Sequence, residues 1–493
     1  MEQLPALSEE ETLDPEDWTS MRELGHKMLD DMFDYMQTIR ERPVWQHAPD
    51  QVKIHFNRAV PLDPQPPEKI YQEFLEQILP YPVGNIHPRF WGWVLGPGTA
   101  FGSLAELLTA TMNIGSTGGL AYNSANYVEL QVLDWFKEML GFPSSASGLL
   151  TSGCSAANLI GLAVARNAKA GYDLRREGMQ AASHKMVLYA SQQIHSSIQK
   201  AVETLGLGSD ALRLIGFNDR FQIDLQMLVE TIAQDREDGY LPFCVVGAAG
   251  TTDTGAVDDL NALADICRQE KLWFHVDGAF GAWAALAPDA SHIVSGMERA
   301  DSLAFDLHKW MYMPYEIGCV LVRSEEEHRK TFSLMPIYLT HGDGGRGLSG
   351  EDLPWLQDYG FQLSRGFRAL KAWMSLKEHG SRKYGRLIQQ NINQAHYLAK
   401  LVTSAPNLEL VAPVTLNVVC FRYIGTNLDE VTLDELNMKI VTELQERGVV
   451  VVSGSIVNGK YILHVANVNH RTLRADFDVL IAEVIRVGED LTR

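Results

Sequence analysis

Cysteine is scarce in this sequence of 493 residues, and its five cysteines are widely scattered. No two of them have the close spacing of a zinc or redox motif, so we expect reduced thiols, no metal site and a cytoplasmic protein. Long apolar runs are missing as well, since none approaches the roughly 18–20 residues that a membrane span needs. The first residues, MEQLPALSEEETLDPEDW, lack the basic and then apolar order of a signal peptide. We therefore expect no membrane partner.

Positive charge is scarce relative to negative charge. The chain has 62 acidic and 42 basic residues, for a net charge of −20. Nucleic acids and anionic membrane surfaces require a concentrated basic patch, so neither is an expected partner. The balance of 46% hydrophobic and 21% charged residues is typical of a globular protein, and the length allows two or three domains.

The pattern of apolar residues predicts three parts. Residues 1–100 contain helical segments interrupted by prolines and form an N-terminal helical extension that packs on something else. Residues 101–370 alternate short apolar strands with amphipathic helices, which predicts an α/β domain whose mostly parallel sheet has helices on both faces. Residues 371–493 form a small C-terminal α+β domain. The predicted strands are 186–190, 211–217, 243–249, 272–277, 301–305 and 317–323 in the large domain, and 416–423, 449–452 and 461–465 in the small one.

Ligands of such sheets bind at the carboxyl ends of the strands, where the sequence places several reactive residues. The segment TSGCSAAN, residues 151–158, opens a helix whose free backbone N–H groups can bind a phosphate. His195 follows a predicted strand, where an imidazole can lie over a planar ring or exchange protons.

The next two strands contribute a carboxylate and an amine. Asp277 ends the strand in FHVDGAFG, and a carboxylate opposite a pyridine nitrogen would keep that nitrogen protonated. Lys309, in DLHKW, lies between two core strands. A buried lysine loses its proton readily and becomes a nucleophile for Schiff-base chemistry.

Considered alone, each feature has an ordinary structural explanation: a polar helix start, a helix-capping aspartate or a surface lysine. Together, and in this order, they form the set that binds pyridoxal phosphate (PLP). With its HVDGAF and HKW segments, the chain resembles the group II PLP-dependent amino-acid decarboxylases, which include the aromatic-L-amino-acid decarboxylases. The resemblance implies a fold-type I, PLP-dependent transferase-like architecture and a homodimer whose active site lies at the subunit interface, with the N-terminal extension on the partner subunit.

The resemblance also implies the roles of the cofactor-binding residues. Lys309 forms the Schiff base and Asp277 pairs with the pyridine nitrogen. His195 stacks on one face of the ring, with Ala279 on the other. Asp306 stands where the family often has asparagine, and we do not expect this carboxylate to bind the phosphate directly. The remaining implied cofactor-binding residues are Gly153, Cys154, Ser155, Thr251 and His308.

The glycine-rich segment within 334–352 resembles the mobile catalytic loop of the family. In that loop a tyrosine protonates Cα after CO2 has left, and Tyr338 stands at this position. Related aldehyde synthases typically carry phenylalanine there, so Tyr338 favours simple decarboxylation to the amine.

The segment HPRFWGWVLGPG, residues 87–98, lines the side-chain pocket in family members. Trp91, Trp93 and Val94 are therefore predicted to contact the substrate, and they favour an aromatic side chain. Alternatively, the tryptophans belong to the core and only one of them reaches the pocket. Other functions left open are decarboxylation of an acidic or sulfinate amino acid, carbon–carbon lyase or aldehyde synthase activity, and an inactive binding protein.

Overall fold

The computed structural model describes residues 12–115, 123–334, 355–425 and 428–493. By its contacts, the chain divides into two units between Gly84 and Asn85. Residues 85–100 belong to the second unit, in which Phe90 forms a parallel bridge with Val451. The division into three parts at residues 100 and 370 stays a prediction.

The first unit is helical. Asp17 caps its first helix by accepting a hydrogen bond from the Thr19 backbone, and proline, whose fixed φ suits a helix start, opens the third. Three apolar side chains of the first helix, Trp18, Met28 and Phe33, are exposed. The helices of this unit are α1 (Trp18–Gln37), α2 (Asp50–His55) and α3 (Pro67–Gln77).

The second unit contains a seven-stranded sheet. Its strands are β1 (Ser147–Thr151), β2 (Met186–Ser191), β3 (Leu212–Ile215), β4 (Leu241–Ala248), β5 (Trp273–Asp277), β6 (Ser302–Asp306) and β7 (Gly318–Val322). The order is β1-β7-β6-β5-β4-β2-β3, and β7 runs antiparallel to both neighbours while the other adjacent pairs are parallel. Every residue of β5, β6 and β7 is buried, as expected for strands covered on both faces. The predicted mostly parallel α/β architecture is confirmed.

Helices cover both faces of this sheet. The central one, α6, packs across β4 to β7, and α10 packs on β4 and β5. No helix within the described ranges is long and apolar enough to cross a membrane. The helices of the second unit are α4 (Ala100–Met112), α5 (Ser124–Met139), α6 (Cys154–Lys169), α7 (Leu174–Glu177), α8 (Ser196–Thr204), α9 (Leu225–Glu237), α10 (Leu260–Glu270), α11 (Glu325–Phe332), α12 (Ala369–His379), α13 (Ser381–Ser404), α14 (Glu430–Glu446) and α15 (Arg474–Thr492).

A separate antiparallel sheet follows near the carboxyl terminus. Its strands are β8 (Leu408–Leu410), β9 (Val418–Tyr423), β10 (Ser453–Val457) and β11 (Lys460–Ala466), in the order β10-β11-β9-β8. The predicted strand at 449–452 is wrong, because within it only Val451 pairs, through its bridge to Phe90. The strand begins at Ser453, where an alternation of buried and exposed residues replaces the apolar run.

A fully buried ion pair ties the first strand to its surroundings. Arg365 forms a salt bridge with Glu129 of α5, and neither side chain is exposed to solvent. The Glu129 carboxylate also accepts the Leu150 N–H of β1, and Arg365 donates to the Leu150 carbonyl at 3.2 Å. The pair therefore fixes α5 against the sheet.

We predict that Arg365→Met destabilises the protein strongly, because it leaves the Glu129 carboxylate buried without its cation. Removing one partner of a buried pair costs about 3–5 kcal/mol. Arg368→Met is the matched control, because Arg368 pairs with the exposed Glu316, and exposed pairs contribute at most about 1 kcal/mol. Urea denaturation of both variants measures the difference, and equal losses would contradict the prediction.

Candidate active site

A cavity of about 230 Å³ opens at the carboxyl ends of β2, β4 and β5, beside the turn that follows β6. This position agrees with the rule that parallel sheets bind ligands beyond the carboxyl ends of their strands. Seven of the predicted site residues line the cavity: Trp93, Val94, His195, Thr251, Asp277, Ala279 and Lys309.

Lys309 lies beside a carboxylate that the sequence did not assign to it. Its Nζ is 3.0 Å from Oδ2 of Asp306, the last residue of β6. Burial lowers the pKa of Lys309, but the attraction of the Asp306 and Asp277 carboxylates outweighs it, so the net pKa is raised. The expectation that burial strips the proton from Lys309 is therefore wrong here. Before acting as a nucleophile, the ammonium must lose its proton, and its ion pair with Asp306 opposes that loss.

Asp306 also holds the start of α6. Its Oδ1 accepts the backbone N–H of Cys154 at 2.6 Å, at the helix terminus where positive partial charge is concentrated. A Cβ atom on Gly153 would be in ordinary van der Waals contact with the His308 ring, 3.4 Å away. Ser155, the next residue of the helix, is exposed. The structure thus brings the predicted phosphate segment next to the lysine.

His308 completes this group. Its Nδ1 accepts the Ile317 N–H at 3.1 Å, so a neutral ring carries its proton on Nε2, which lies 3.5 Å from Asp306 Oδ2. Burial lowers the pKa of His308, while Asp306 opposes the shift. The ring also packs against Tyr315, with 4.3 Å between the ring centroids.

Asp277 is buried at the end of β5 and is surrounded by donors. Oδ2 accepts the Asn158 amide at 3.0 Å, while Oδ1 accepts the Ala279 N–H at 3.1 Å and the Cys154 thiol at 3.5 Å. Burial raises the pKa of the Cys154 thiol well above its usual range, and the neighbouring carboxylates Asp277 and Asp306 raise it further. The thiol is therefore a donor and not a thiolate.

His195 caps α8 with its own side chain. Its Nδ1 accepts the Ser197 N–H at 3.2 Å and lies 2.9 Å from the Ser197 hydroxyl. Burial lowers the pKa of His195, so the imidazole is neutral at pH 7. Because Nδ1 accepts, the proton of the neutral ring is on Nε2.

The two tryptophans of segment 87–98 have different environments. Trp91 is 1% exposed, stacks on Phe477 at 4.8 Å and donates its indole N–H to Thr472, so it belongs to the core around the small sheet. The structure therefore corrects its assignment as a substrate-contacting residue. Trp93 is 54% exposed, has a left-handed φ of 54° and lines the cavity. Only Trp93 of the pair reaches the cavity.

The four-stranded antiparallel sheet supports the cavity at Trp93 through a chain of hydrogen bonds. The backbone N–H of Trp93 donates to Ser453 Oγ at 2.9 Å, and Ser453 Oγ lies 3.1 Å from Nδ1 of His464. Nε2 of His464 donates to the Thr252 carbonyl at 2.8 Å. The neighbouring Thr251 uses its hydroxyl inside its own turn, where it accepts the Ala256 N–H at 3.1 Å.

Sequence reasoning missed Asn158 and His275, which lie directly behind the cavity. A signal for both was available, because residues four apart share a helix face and residues two apart share a strand face. Asn158 is four residues after Cys154 on α6, and His275 is two residues before Asp277 on β5. Tyr338 and almost all of the loop 334–352 lie outside the described residues.

The residues present fit PLP. His195 and Ala279 both line the cavity, where they can cover a planar ring, while Asp277 supplies a carboxylate and Lys309 supplies an amine. The start of α6, with glycine at its cap, lies close to that amine, and the positive partial charge at this helix terminus suits a phosphate.

Comparison with known proteins agrees with this geometry. The family model "Pyridoxal-dependent decarboxylase conserved domain" matches residues 49–424. An aromatic-L-amino-acid decarboxylase of Bacillus atrophaeus is 34% identical over 475 residues, covering 96% of each chain. A phenylacetaldehyde synthase of Petunia hybrida is 29% identical, covering 92% of this chain and 90% of the relative. The crystal structure of Oryza sativa TDC with PLP and tryptamine superimposes with a TM-score of 0.88 at 25% identity, covering 98% of this chain and all of that one.

A family model matched over most of the chain, together with a relative of more than 30% identity along almost its whole length, determines the family. The cofactor and reaction class follow from that membership: PLP, and removal of a carboxyl group from an amino acid. This chain belongs to the pyridoxal-dependent decarboxylase family and is a PLP-dependent carboxy-lyase.

Proposed function

We propose that this decarboxylase acts on an aromatic L-amino acid and forms the corresponding amine and CO2. The observation that carries the proposal is the apolar part of the cavity lining, which includes Trp93, Val94 and Phe280. Lys309 is the one lysine or arginine among the described lining residues, and it faces the carboxylates. An acidic side chain would need a further cation, whereas an aromatic one can pack on the Trp93 ring.

The curated relatives support the same substrate class. The names of several of them, including an aromatic-L-amino-acid decarboxylase and two tyrosine decarboxylases, describe activity on aromatic amino acids. The phenylacetaldehyde synthases among the relatives favour an aldehyde product as the second candidate. Tyr338 favours the amine, because it occupies the position where such synthases typically carry phenylalanine.

PLP, when bound, withdraws electrons from the α-carbon of the substrate and makes its bonds labile. We assign the covalent attachment of PLP to Lys309 and the contact with the pyridine nitrogen to Asp277. His195 and Ala279 enclose the ring, and the neutral His195 presents its Nε2 proton. Asp306 accepts a hydrogen bond from the Lys309 ammonium at Oδ2. The phosphate is assigned to Gly153, Cys154, Ser155 and His308, with Thr251 beside the cofactor.

The substrate proposal is tested by supplying PLP-saturated enzyme with a panel of L-amino acids and scoring both CO2 and amine. We expect aromatic amino acids to be consumed and aspartate, glutamate and cysteine sulfinate to be left untouched. The reverse result would overturn the proposal.

Trp93 provides a sharper test of the same pocket. We predict that Trp93→Ala raises KM for aromatic substrates by about tenfold, because losing an aromatic contact with the substrate costs on the order of 1–1.5 kcal/mol. Trp93→Phe keeps a flat apolar ring and is the matched control, with KM close to that of the wild type. Steady-state kinetics with CO2 detection measures both. A similar KM for all three proteins would show that Trp93 does not contact the substrate.

Tyr338 decides the product in this proposal, because its hydroxyl delivers the proton to Cα. We predict that Tyr338→Phe loses most amine formation and gains aldehyde, with consumption of oxygen. Chromatographic analysis of the products, with an oxygen electrode, measures the ratio of amine to aldehyde. Unchanged amine output would remove Tyr338 from this role.

We further propose that the enzyme acts as a homodimer in the cytoplasm, with the active site at the subunit interface. Exposed apolar side chains on α1 and α4 support a dimer, because such surfaces usually mark interfaces. All five cysteines are unpaired and buried, as expected in a reducing compartment. We predict twice the chain mass by light scattering, and an active monomer would contradict this. The side chains concerned are Trp18, Met28 and Phe33 on α1, and Leu107, Leu108 and Met112 on α4.

A further inference from the structure

A buried hydrogen-bonded chain lies behind the cavity and centres on Asn158 of α6. The side chain is fully buried, and its amide nitrogen has two acceptors. Nδ2 donates to Asp277 Oδ2 at 3.0 Å and to Ser197 Oγ at 3.1 Å. One amide group therefore contacts both the carboxylate of β5 and the residue that holds the imidazole of His195.

The orientation of this amide is fixed from the other side. Asn158 Oδ1 lies 2.9 Å from Nε2 of His275, and Nδ1 of His275 lies 2.7 Å from Ser302 Oγ. An indole N–H can only donate, and that of Trp273 donates to Ser302 Oγ at 2.8 Å. The Ser302 hydroxyl then donates to His275 Nδ1, and His275 Nε2 donates to Asn158. Burial lowers the pKa of His275 to about 4, so the ring is neutral, as this pattern requires.

The packing of α6 makes room for this chain. A Cβ atom on Gly161 would lie 2.7 Å from Cε1 of His275 and 3.3 Å from Ser302 Oγ. Gly161 is three residues beyond Asn158 on the same face of α6, and only glycine there lets the His275 ring approach the helix so closely. The ring can therefore reach the amide of Asn158.

The hydrogen bond from Asn158 to Ser197 connects the chain to His195. Because Ser197 Oγ accepts the Asn158 amide, its hydroxyl proton is available to His195 Nδ1, 2.9 Å away. Together with the Ser197 N–H, this donor keeps Nδ1 an acceptor and leaves the proton on Nε2.

We propose that Asn158 is a positioning residue that orients Asp277 and, through Ser197, sets the tautomer of His195. The same amide fixes both side chains, so that the carboxylate assigned to the pyridine nitrogen and the imidazole assigned to the ring face are aligned together. The inference rests on the proposed roles of Asp277 and His195 towards PLP. It concerns cofactor binding and the state of the imidazole, and it does not depend on which amino acid is the substrate.

The test is Asn158→Asp, which keeps the shape of the side chain but replaces the donor by an acceptor. The new carboxylate repels Asp277 and draws the Ser197 hydroxyl away from His195. Losing hydrogen bonds to a charged group weakens binding by about 10- to 100-fold, and we expect this loss in PLP affinity by equilibrium dialysis. The tautomer is measured by ¹⁵N NMR of the full chain without PLP. The imidazole signals of His195 are assigned as those that disappear in His195→Gln. In Asn158→Asp these signals should no longer show the pattern of a pure Nε2–H tautomer.

Asn167→Asp is the matched control, because it makes the same change of charge on the same helix, beside Arg166 and away from the cavity. We expect wild-type PLP affinity and an unchanged His195 spectrum. Equal losses in the two variants, or wild-type behaviour of Asn158→Asp, would overturn the proposal. If circular dichroism shows that Asn158→Asp does not fold, the variant Ser197→Ala tests the proposal in its place. This variant cuts only the branch to the imidazole, so an altered His195 spectrum supports the proposal and an unchanged one refutes it.

The substrate panel keeps the two proposals apart. Consumption of acidic amino acids would overturn the aromatic substrate and leave the role of Asn158 intact. Conversely, a wild-type response of Asn158→Asp in PLP affinity and in the His195 spectrum would overturn the positioning role and leave the substrate proposal intact.

Discussion

A buried carboxylate is stable only when donors surround it, and the active site is organised by this requirement. Two carboxylates, Asp277 and Asp306, lie at the ends of the adjacent strands β5 and β6. Cys154, at the start of α6, serves both: its backbone N–H binds Asp306 and its thiol binds Asp277. The helix, the two strands and Lys309 are therefore held in one arrangement by the need to satisfy these two groups.

The order of the sheet explains why residues far apart in sequence meet here. Because β4, β5 and β6 are neighbours and parallel, the residues that follow them emerge at the same edge. Thr251, Ala279 and Lys309 each follow one of these strands. Segment 87–98 approaches from another direction, held by the small sheet through Ser453 and by the bridge to Val451. The cavity thus depends on both sheets of the second unit.

Much of this arrangement could be predicted from the sequence, because strands covered on both faces read as continuous apolar runs. The reactive residues at the strand ends could be predicted equally well, since Asp277 and Lys309 occupy positions where parallel sheets bind ligands. The features that could not be predicted depend on tertiary contacts. Trp91 and Trp93 are two residues apart and chemically identical, yet Phe477 from α15 covers only the first. The proton of Lys309 likewise depends on Asp306, whose side-chain direction the sequence does not give.

The thiol of Cys154 has a consequence for the durability of the enzyme. Thiolates, not thiols, react with oxidants and alkylating reagents, and a thiol whose pKa is raised well above its usual range forms almost no thiolate at neutral pH. Burial, together with the two carboxylates that organise the site, thus keeps the Cys154 sulfur protonated and unreactive. Peroxide and iodoacetamide should attack this cysteine slowly, so that the centre of the enzyme resists oxidative inactivation.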